Sequence, residues 1–370
     1  MKRRTFVLGS AIVPAALASV DQDIPKYRIV TPYHAEQHYR IPGTVVSVHS
    51  AKSIDETTEK ADPNVVREMM TRGMLGLTGE TKLGDAWRRF IEPSDIVGIK
   101  VNCSGAPKVC SNPFVVAEIV RNLTAVGVKP ANIQIYERFE DQLKSVGYAK
   151  YLDQEVPIQA VEVPRGSIRN YDPKTYVEVD FFGEDDTRSN MIRWVTERFT
   201  KIINVPNMKD HGAAGVTGCL KNMAYGNFSN VARSHKWEKT NTKTFIGTLA
   251  STEPLRSRVV LNVMDGLKGV WHGGPFVLNP KFVFYPKTIA FTTDPVSADR
   301  LLIDIIETER KSKGANSVWD RSRDQLISSG RSVDPTKNHF IREPGHIEYA
   351  SSLGLGVYDI NKIKNKKIEV

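Results

Sequence analysis

A strand–helix–strand unit gives the firmest constraint on the fold of this chain. Residues 96–101 and 133–136 are short apolar runs typical of buried strands, and residues 113–126 between them place apolar side chains at helical spacing. Gly127 ends the predicted helix. Strands joined by a crossover helix lie parallel, with a right-handed connection. The unit therefore predicts an α/β fold built on a parallel sheet.

Similar runs continue the pattern, and the expected fold is a mainly parallel sheet with helices on both faces. Residues 164–195 are polar and rich in turn residues, which indicates a small inserted antiparallel or irregular layer. Asp294 and Pro295 suit the cap and first turn of a last helix, so Asp294 has a structural role without a catalytic one. The other predicted strands are residues 44–49, 158–163, 176–181, 202–205, 259–263 and 288–292, and the other predicted helices are residues 69–77, 83–91, 216–225 and 244–249.

The first 18 residues have the features of an export signal. Basic residues precede an apolar segment, and the small-residue ending at Ala18 suits cleavage before Ser19. The apolar segment is too short to span a bilayer, which needs ~20 apolar residues. Residues 3–7, Arg-Arg-Thr-Phe-Val, resemble the twin-arginine export signal. Twin-arginine export to the periplasm or the extracellular space is therefore favoured, with no stable membrane span.

Twin-arginine export also bears on cofactors, because this route moves folded proteins. Insertion of a cofactor before export and rapid folding without a cofactor both remain open as reasons for this route. Three cysteines, Cys103, Cys110 and Cys219, are too few for a disulfide framework, although export would allow a disulfide between Cys103 and Cys110. The sequence has no Cys-x-x-Cys motif, so no iron–sulfur cluster is expected.

The charge pattern does not indicate a nucleic-acid partner. The formal net charge is +9, of which the predicted signal supplies three positive charges. The excess is spread thinly except in the tail, and no interleaving of aromatic and basic residues accompanies it. The tail lysines are Lys362, Lys364, Lys366 and Lys367.

The densest group of polar residues follows the predicted strand at residues 202–205. Lys209, Asp210 and His211 come first, on a glycine-rich loop. In open α/β sheets, ligands bind at the carboxyl ends of strands, so this loop is well placed for chemistry. His211, between a cation and a carboxylate, is predicted to be a general base, a proton shuttle or a metal ligand, with Lys209 beside it as a further catalytic residue.

A predicted anion site follows on the same segment. Thr217, Lys221 and Asn222 lie near the start of the predicted helix at residues 216–225, where free N–H groups and the helix dipole favour an anion. The spacing fits neither the Walker A loop nor the Gly-x-Gly-x-x-Gly motif. Lys100 and Asn102, which end the strand at residues 96–101, are expected to bind the same substrate or, for Lys100, to pair with a carboxylate.

Asp265 and His272 form a second predicted group. They follow the strand at residues 259–263 and would open on the same edge of the sheet as His211. Asp265 and His272 are catalytic candidates, and with His211 they are the candidate metal ligands. His34 and His38 have the spacing of two ligands on a helix, but the surrounding residues do not predict a helix. His235 lies in a basic segment that lines the site or is exposed.

Several stretches of the chain follow one another in an order typical of a known family. They are residues 96–102 (Ile-Val-Gly-Ile-Lys-Val-Asn), 204–211 (Asn-Val-Pro-Asn-Met-Lys-Asp-His), 215–222 (Gly-Val-Thr-Gly-Cys-Leu-Lys-Asn), 292–299 (Thr-Thr-Asp-Pro-Val-Ser-Ala-Asp) and 346–356 (His-Ile-Glu-Tyr-Ala-Ser-Ser-Leu-Gly-Leu-Gly). Together they resemble the domain of unknown function 362 family, over about residues 90–357.

The resemblance implies a domain division but no assigned activity. It implies one α/β core domain at residues 91–357. The residue pattern adds an insertion at about 164–195, an export signal at 1–18 and a lead-in at 19–90 that packs on the core. A basic tail at residues 358–370 would follow. Many family members carry an appended ferredoxin-like segment, and the cysteine content of this chain departs from that pattern.

The sequence favours an exported enzyme that performs acid–base or metal-assisted chemistry on a small anionic or hydroxylated substrate. Its partners would be that small molecule and the twin-arginine translocation machinery. The cofactor is undetermined, and a divalent metal is one option. Two alternatives stay open: a periplasmic protein that binds an anion without catalysis, and a redox protein whose cofactor is inserted before export.

Overall fold

The structure, a computed structural model, describes residues 24–236, 239–328 and 332–370. The predicted export signal at residues 1–18 lies outside these ranges, so export stays a prediction. Within them, no helix is both long enough and apolar enough to cross a membrane.

The described residues form sixteen strands and nine α-helices. The strands are β1 (Arg28–Val30), β2 (Thr44–His49), β3 (Val97–Lys100), β4 (Ile133–Phe139), β5 (Ile158–Glu162), β6 (Tyr171–Glu178), β7 (Arg188–Ile192), β8 (Lys201–Asn204), β9 (Asn207–His211), β10 (Gly215–Thr217), β11 (His235–Lys236), β12 (Lys239–Thr240), β13 (Val259–Val270), β14 (Val283–Phe284), β15 (Thr288–Thr292) and β16 (Lys364–Glu369). The α-helices are α1 (Pro63–Thr78), α2 (Leu83–Arg88), α3 (Pro113–Ala125), α4 (Glu140–Val146), α5 (Cys219–Asn227), α6 (Thr242–Ser251), α7 (Leu255–Arg258), α8 (Pro295–Ser312) and α9 (His346–Ser352).

One sheet of eleven strands forms the centre of the molecule, with the main order β16-β2-β15-β13-β8-β3-β4-β5. The five strands from β13 to β5 are parallel to their neighbours. β15 runs antiparallel to both β13 and β2. The predicted α/β fold with a mainly parallel sheet is confirmed, and the predicted unit at residues 96–136 is β3, α3 and β4.

Helices cover both faces of this sheet, because side chains alternate between its faces. In β8, Ile202 belongs to one buried cluster with residues of α5, α6, α8 and α9, while the next residue, Ile203, belongs to another with residues of α1, α2 and α3. Two apolar cores therefore sandwich the sheet.

The order of the strands reverses between β3 and β8. From β3 the chain proceeds to β4 and β5 on one side, and it returns later to β8 on the other side. The helices that follow, α3 and α5, lie on opposite faces of the sheet. A crevice opens at the carboxyl ends of two strands related in this way, and ligands bind there in open α/β folds.

The predicted insertion is a small antiparallel sheet. β6 and β7 pair antiparallel with each other, and β1 from the start of the described chain pairs antiparallel with β6. The prediction of a small antiparallel layer at about residues 164–195 agrees with this arrangement, although its third strand comes from residues that the sequence places in the lead-in.

The predicted basic tail differs from the structure, where β16 pairs parallel with β2 over Lys364–Glu369. The lysines lie on an edge strand, where charged side chains discourage pairing with other chains. Since β2 is itself part of the lead-in at residues 19–90, both ends of the described chain contribute to the central sheet. The sequence does not predict this strand, because Ile368 is its one apolar residue and no apolar alternation is present.

Two carboxylates, one at the N-cap of α8 and one within this helix, connect distant parts of the chain. Asp294 caps α8 by accepting the N–H of Ser297, as predicted, and it also accepts the N–H groups of Gly43 and Val357. Asp299 accepts the N–H groups of Cys219 at 2.6 Å and of Leu220 at 2.9 Å, which are the first two residues of α5. Asp299 therefore fixes the start of α5 against α8.

Gly218 permits this contact, and we expect Gly218→Ala to destabilise the protein. A Cβ atom at this position would overlap with the Asp299 carboxylate. Overpacking of this kind costs about 1–3 kcal/mol, so the midpoint of thermal unfolding should fall by several degrees. Gly84→Ala is the matched control, because its Cβ would meet only the flexible end of Arg88, at 3.2 Å. Equal midpoints for both variants would contradict the proposed packing.

Candidate functional site

A cleft of about 580 Å³ opens at the carboxyl ends of β3 and β8, at the reversal of strand order. Its walls come from the ends of β3 and β4, the β9–β10 segment, α5, and two later segments at residues 272–278 and 332–340. Seven of the nine predicted site residues line it: Lys100, Asn102, His211, Thr217, Lys221, Asn222 and His272. Lys209 lies directly behind this lining, and Asp265 lies elsewhere.

The predicted glycine-rich loop is a β-hairpin. β9 and β10 pair antiparallel, with Lys209 opposite Thr217 and His211 opposite Gly215. Alternation along β9 places Lys209 and His211 on one face of the strand and Asp210 on the other. Asp210 pairs instead with Arg342 at 3.3 Å and Arg310 at 3.6 Å. The predicted placement of His211 between a cation and a carboxylate is therefore not found.

A row of asparagine amides runs beneath the cleft. Asn102 donates to Asn222 at 3.1 Å, Asn222 donates to Asn204 at 2.8 Å, and Asn204 donates to Asn262 at 2.8 Å. The ammonium of Lys209 donates to Asn102 at the head of this row. Each of these amides accepts on its oxygen from the side of Lys209 and donates from its nitrogen to the next residue of the row. The amide dipoles therefore align, and they stabilise the charge of the ammonium.

Lys100 is fully engaged by protein partners. Its ammonium lies 2.8 Å from the carboxylate of Glu137 and donates to the carbonyl oxygen of Val101, and all of these groups are buried. Gly226 allows Lys100 to lie against α5, because a Cβ atom there would overlap with Cε of Lys100. Of the two expectations for Lys100, the structure shows the pairing with a carboxylate.

Lys209 is buried without a carboxylate partner among the described residues. Its ammonium donates to Asn102 and, at 3.1 Å, to the hydroxyl of Ser104, both of which line the cleft. Burial lowers the pKa of Lys209 to about 8. The neutral oxygens that surround the ammonium hold it in place but leave its charge uncompensated.

Lys221 is also buried, with 8% of the residue exposed, and it faces the cleft. Among the described residues no hydrogen-bond acceptor or carboxylate contacts its ammonium. The ammonium lies over the ring of Tyr225, 4.4 Å from the ring centroid, in a cation–π contact. Burial lowers the pKa of Lys221 to about 7, and the charges of Lys209 and Arg138 lower it further in the same direction. An unpaired buried amine in a cleft is a strong candidate for a functional group.

The ring of His211 is held in one orientation. Its Nδ1 accepts the backbone N–H groups of Ala213 and Ala214, each at 3.1 Å. With a lone pair on Nδ1, the proton of the neutral ring lies on Nε2. This geometry favours a hydrogen-bond donor over the predicted general base or metal ligand, both of which need a lone pair on Nε2.

His272 follows the same logic. Nη1 of Arg310 lies 3.1 Å from Nδ1 of His272, and a guanidinium can only donate, so the proton of the ring lies on Nε2. Burial lowers the pKa of His272 to about 4, so the ring is neutral at pH 7. Its buried Nε2 forms no hydrogen bond of standard geometry among the described residues, although a backbone group of Ser332 lies close enough to oppose the lowering of the pKa. His272 therefore presents an N–H donor at the cleft.

Asp265 is not part of this site. Its carboxylate accepts the N–H groups of Asn112 at 2.6 Å and Leu267 at 2.9 Å, and burial raises its pKa to about 6. The predicted metal ligands His211, His272 and Asp265 are therefore not brought together. Across the described ranges, no group of three or more His, Cys, Asp or Glu side chains has the arrangement of a metal site.

The predicted anion site at the helix start needs a correction. The first two N–H groups of α5 belong to Cys219 and Leu220, and the Asp299 carboxylate already occupies both. Thr217 does line the cleft, and its buried hydroxyl has no hydrogen-bond partner among the described residues. The anion-binding candidates are therefore side chains, not the helix terminus.

The remaining candidates are placed as follows. His34 and His38 lie outside the helices, and His38 contacts Glu36 at 3.1 Å. His235 lines the cleft with its ring 5.4 Å from that of His211, and burial, together with the charge of Lys221, lowers its pKa to about 3. The three cysteines are free thiols.

The sequence reasoning missed several residues of the site. Asn204 and Asn262 complete the amide row, Glu137 pairs with Lys100, and residues 338–340 close one wall. One signal for the amides was available: three neighbouring strands each carry an asparagine at or near the end of an apolar run. Residues 338–340 have no such signal, because they reach the cleft from a distant loop.

Comparison with known proteins adds a family but no activity. A family model described as "Domain of unknown function (DUF362)" matches residues 97–304, more than half of the chain. The crystal structure of a Thermotoga maritima protein, a Northeast Structural Genomics Consortium target, is similar with 12% identity and a TM-score of 0.37. The similarity covers 68% of this chain and 59% of that one, so this chain spans less than two thirds of that protein. No curated protein matches.

Proposed function

The chain belongs to the family described as Domain of unknown function (DUF362), and we propose that its cleft binds a small organic anion and performs acid–base chemistry on it. The observation that supports this proposal most strongly is the charge of the cleft. Its described lining holds three cations, Lys100, Lys221 and Arg138, and one carboxylate, Glu137. Lys100 pairs with Glu137, and Arg138 pairs with Glu162, so the charge of Lys221 is left for a ligand.

Polar groups without partners support an anionic ligand independently. The hydroxyl of Thr217 and Nε2 of His272 are buried, line the cleft and form no hydrogen bond of standard geometry among the described residues. Buried polar groups are otherwise almost always hydrogen-bonded, so such groups call for a ligand or water. Both can donate a hydrogen bond, which suits the oxygens of a carboxylate.

The apolar part of the wall favours an organic anion over inorganic phosphate. Tyr225, Val231, Pro275, Leu278 and Phe340 contribute apolar surface next to these donors. A cleft of about 580 Å³ is in the size range of small-molecule sites. The ligand would place its charged end near Lys221 and its carbon skeleton against this wall.

Lys221 also supplies the acid–base group. An amine with a pKa of about 7 exists in both protonation states near neutral pH, so it can give and take a proton at similar free energy. His272 would then serve as a neutral N–H donor to a substrate oxygen, not as a base. The second candidate function is binding of the anion without turnover. The hydrogen bonds to Nδ1 of His211 favour this candidate, because they leave His211 unsuited to be the predicted general base.

Binding of small carboxylates tests the proposed function. By isothermal titration calorimetry at pH 7, at least one of lactate, phenyllactate and malonate should bind the protein. Lys221→Met should weaken this binding about tenfold or more, because it removes the unpaired charge. Higher salt should weaken it for the wild type as well.

Lys281→Met is the matched control for this experiment. Lys281 also lies over an aromatic ring, that of Phe282 at 5.2 Å, but it is exposed and outside the cleft. The Lys281→Met variant should bind the carboxylate with the same affinity as the wild type. Unchanged affinity in Lys221→Met, or no binding of any of the three carboxylates, would contradict the proposal.

We further propose export by the twin-arginine route, supported by the pattern at residues 3–7. Replacing both Arg3 and Arg4 with lysine should keep the protein in the cytoplasm, as measured by cell fractionation in a host with this pathway. Arg72→Lys, an exposed change on α1, should leave the location unchanged. Normal export of the double variant would rule out this route.

A further inference from the structure

Among the lysines at the cleft, Lys221 alone has the surroundings of a nucleophile. The ammonium groups of Lys100 and Lys209 each donate to oxygen atoms that favour the charged form. Lys221 has no such acceptor among the described residues, where its ammonium contacts only the ring of Tyr225. An amine becomes nucleophilic when it is desolvated next to other cations, since both effects favour the neutral form.

We propose that the Lys221 amine forms an imine with the carbonyl group of a 2-oxo acid bound in the cleft. This inference rests on the proposed function, because it assumes that the cleft holds a carboxylate. A 2-oxo acid is the smallest organic anion that places a carbonyl carbon directly beside a carboxylate. The same cleft can then hold the carboxylate near its donors and bring the carbonyl to the amine.

The neighbours of Lys221 fit this division of roles. The hydroxyl of Thr217 and the N–H of His272 are available for the carboxylate, and the charge of Lys209 behind the lining favours an anion. Lys221 is thereby left for the carbonyl carbon. Its neighbours Lys209 and Arg138 disfavour the ammonium form, which is the form that cannot attack.

The reaction balances without a further reagent. The nitrogen lone pair of Lys221 bonds to the carbonyl carbon, one proton moves from nitrogen to oxygen, and a carbinolamine forms. The carbon–oxygen bond then breaks, oxygen leaves as water with a proton from nitrogen, and a carbon–nitrogen double bond remains. Protonation of the imine places a positive charge on nitrogen next to the carboxylate, where the cleft previously held the charge of the ammonium.

Reductive trapping tests this inference. The full chain is incubated with pyruvate or phenylpyruvate and sodium cyanoborohydride, which reduces an imine to a stable secondary amine. Intact-mass spectrometry should show one dominant adduct, and peptide mapping should place it on Lys221. Phenyllactate, which has no keto group to form an imine, should lower the yield of the adduct if it occupies the same cleft as the 2-oxo acid.

Two variants distinguish the role of Lys221 as a nucleophile from its role as a positive charge. Lys221→Arg keeps a cation for anion binding but cannot form an imine, so it should lose the adduct and still bind phenyllactate. Lys281→Met should form the adduct like the wild type. An adduct of equal yield in Lys221→Arg, or one located on Lys209, would overturn the inference.

The outcomes also distinguish this inference from the proposed function. If the wild type binds phenyllactate but forms no adduct with either 2-oxo acid, the imine is wrong and the anion site stands. If the wild type binds none of the carboxylates and forms no adduct, both proposals fail.

Discussion

The site depends on one buried contact, between the Asp299 carboxylate and the first N–H groups of α5. Burial raises the pKa of Asp299 to about 7, even though these N–H groups oppose the effect. The contact fixes the start of the helix, and the helix in turn carries Lys221, Asn222 and Gly226 to the edge of the sheet. The first two N–H groups of this helix are not available to a ligand, because the Asp299 carboxylate binds both.

The cleft combines strict hydrogen bonding with uncompensated charge. Its base is satisfied: Lys100 has Glu137, and the amide row receives Lys209. Its open side is not satisfied. The Thr217 hydroxyl and Nε2 of His272 have no hydrogen-bond partner in the described parts of the chain, and the Lys221 ammonium contacts only the ring of Tyr225 there. Burying an unpaired cation disfavours the folded state, so such a group is expected where a ligand completes it.

The sequence predicted the features that depend on local pattern. Apolar periodicity identified the β3–α3–β4 unit, and polar residues at the ends of strands identified Lys100, Asn102 and the β9–β10 segment. It failed where partners come from far along the chain. Asp265 lies inside β13, which extends to Val270, and its carboxylate binds backbone N–H groups, including that of Asn112. β16 is recognisable only by its pairing with β2. Nothing local to α5 shows that Asp299 occupies its first N–H groups.

The central claim is that Lys221 is an unpaired, desolvated amine. Protein labelled with ¹³C at Cε of lysine allows its titration to be followed by NMR, with the Lys221 signal assigned by its loss in Lys221→Arg. Because burial disfavours the ammonium, the pKa of Lys221 should be about 7 instead of the ordinary 10.5. Titration near 10.5 would show that the amine is solvated or paired, and it would contradict the account.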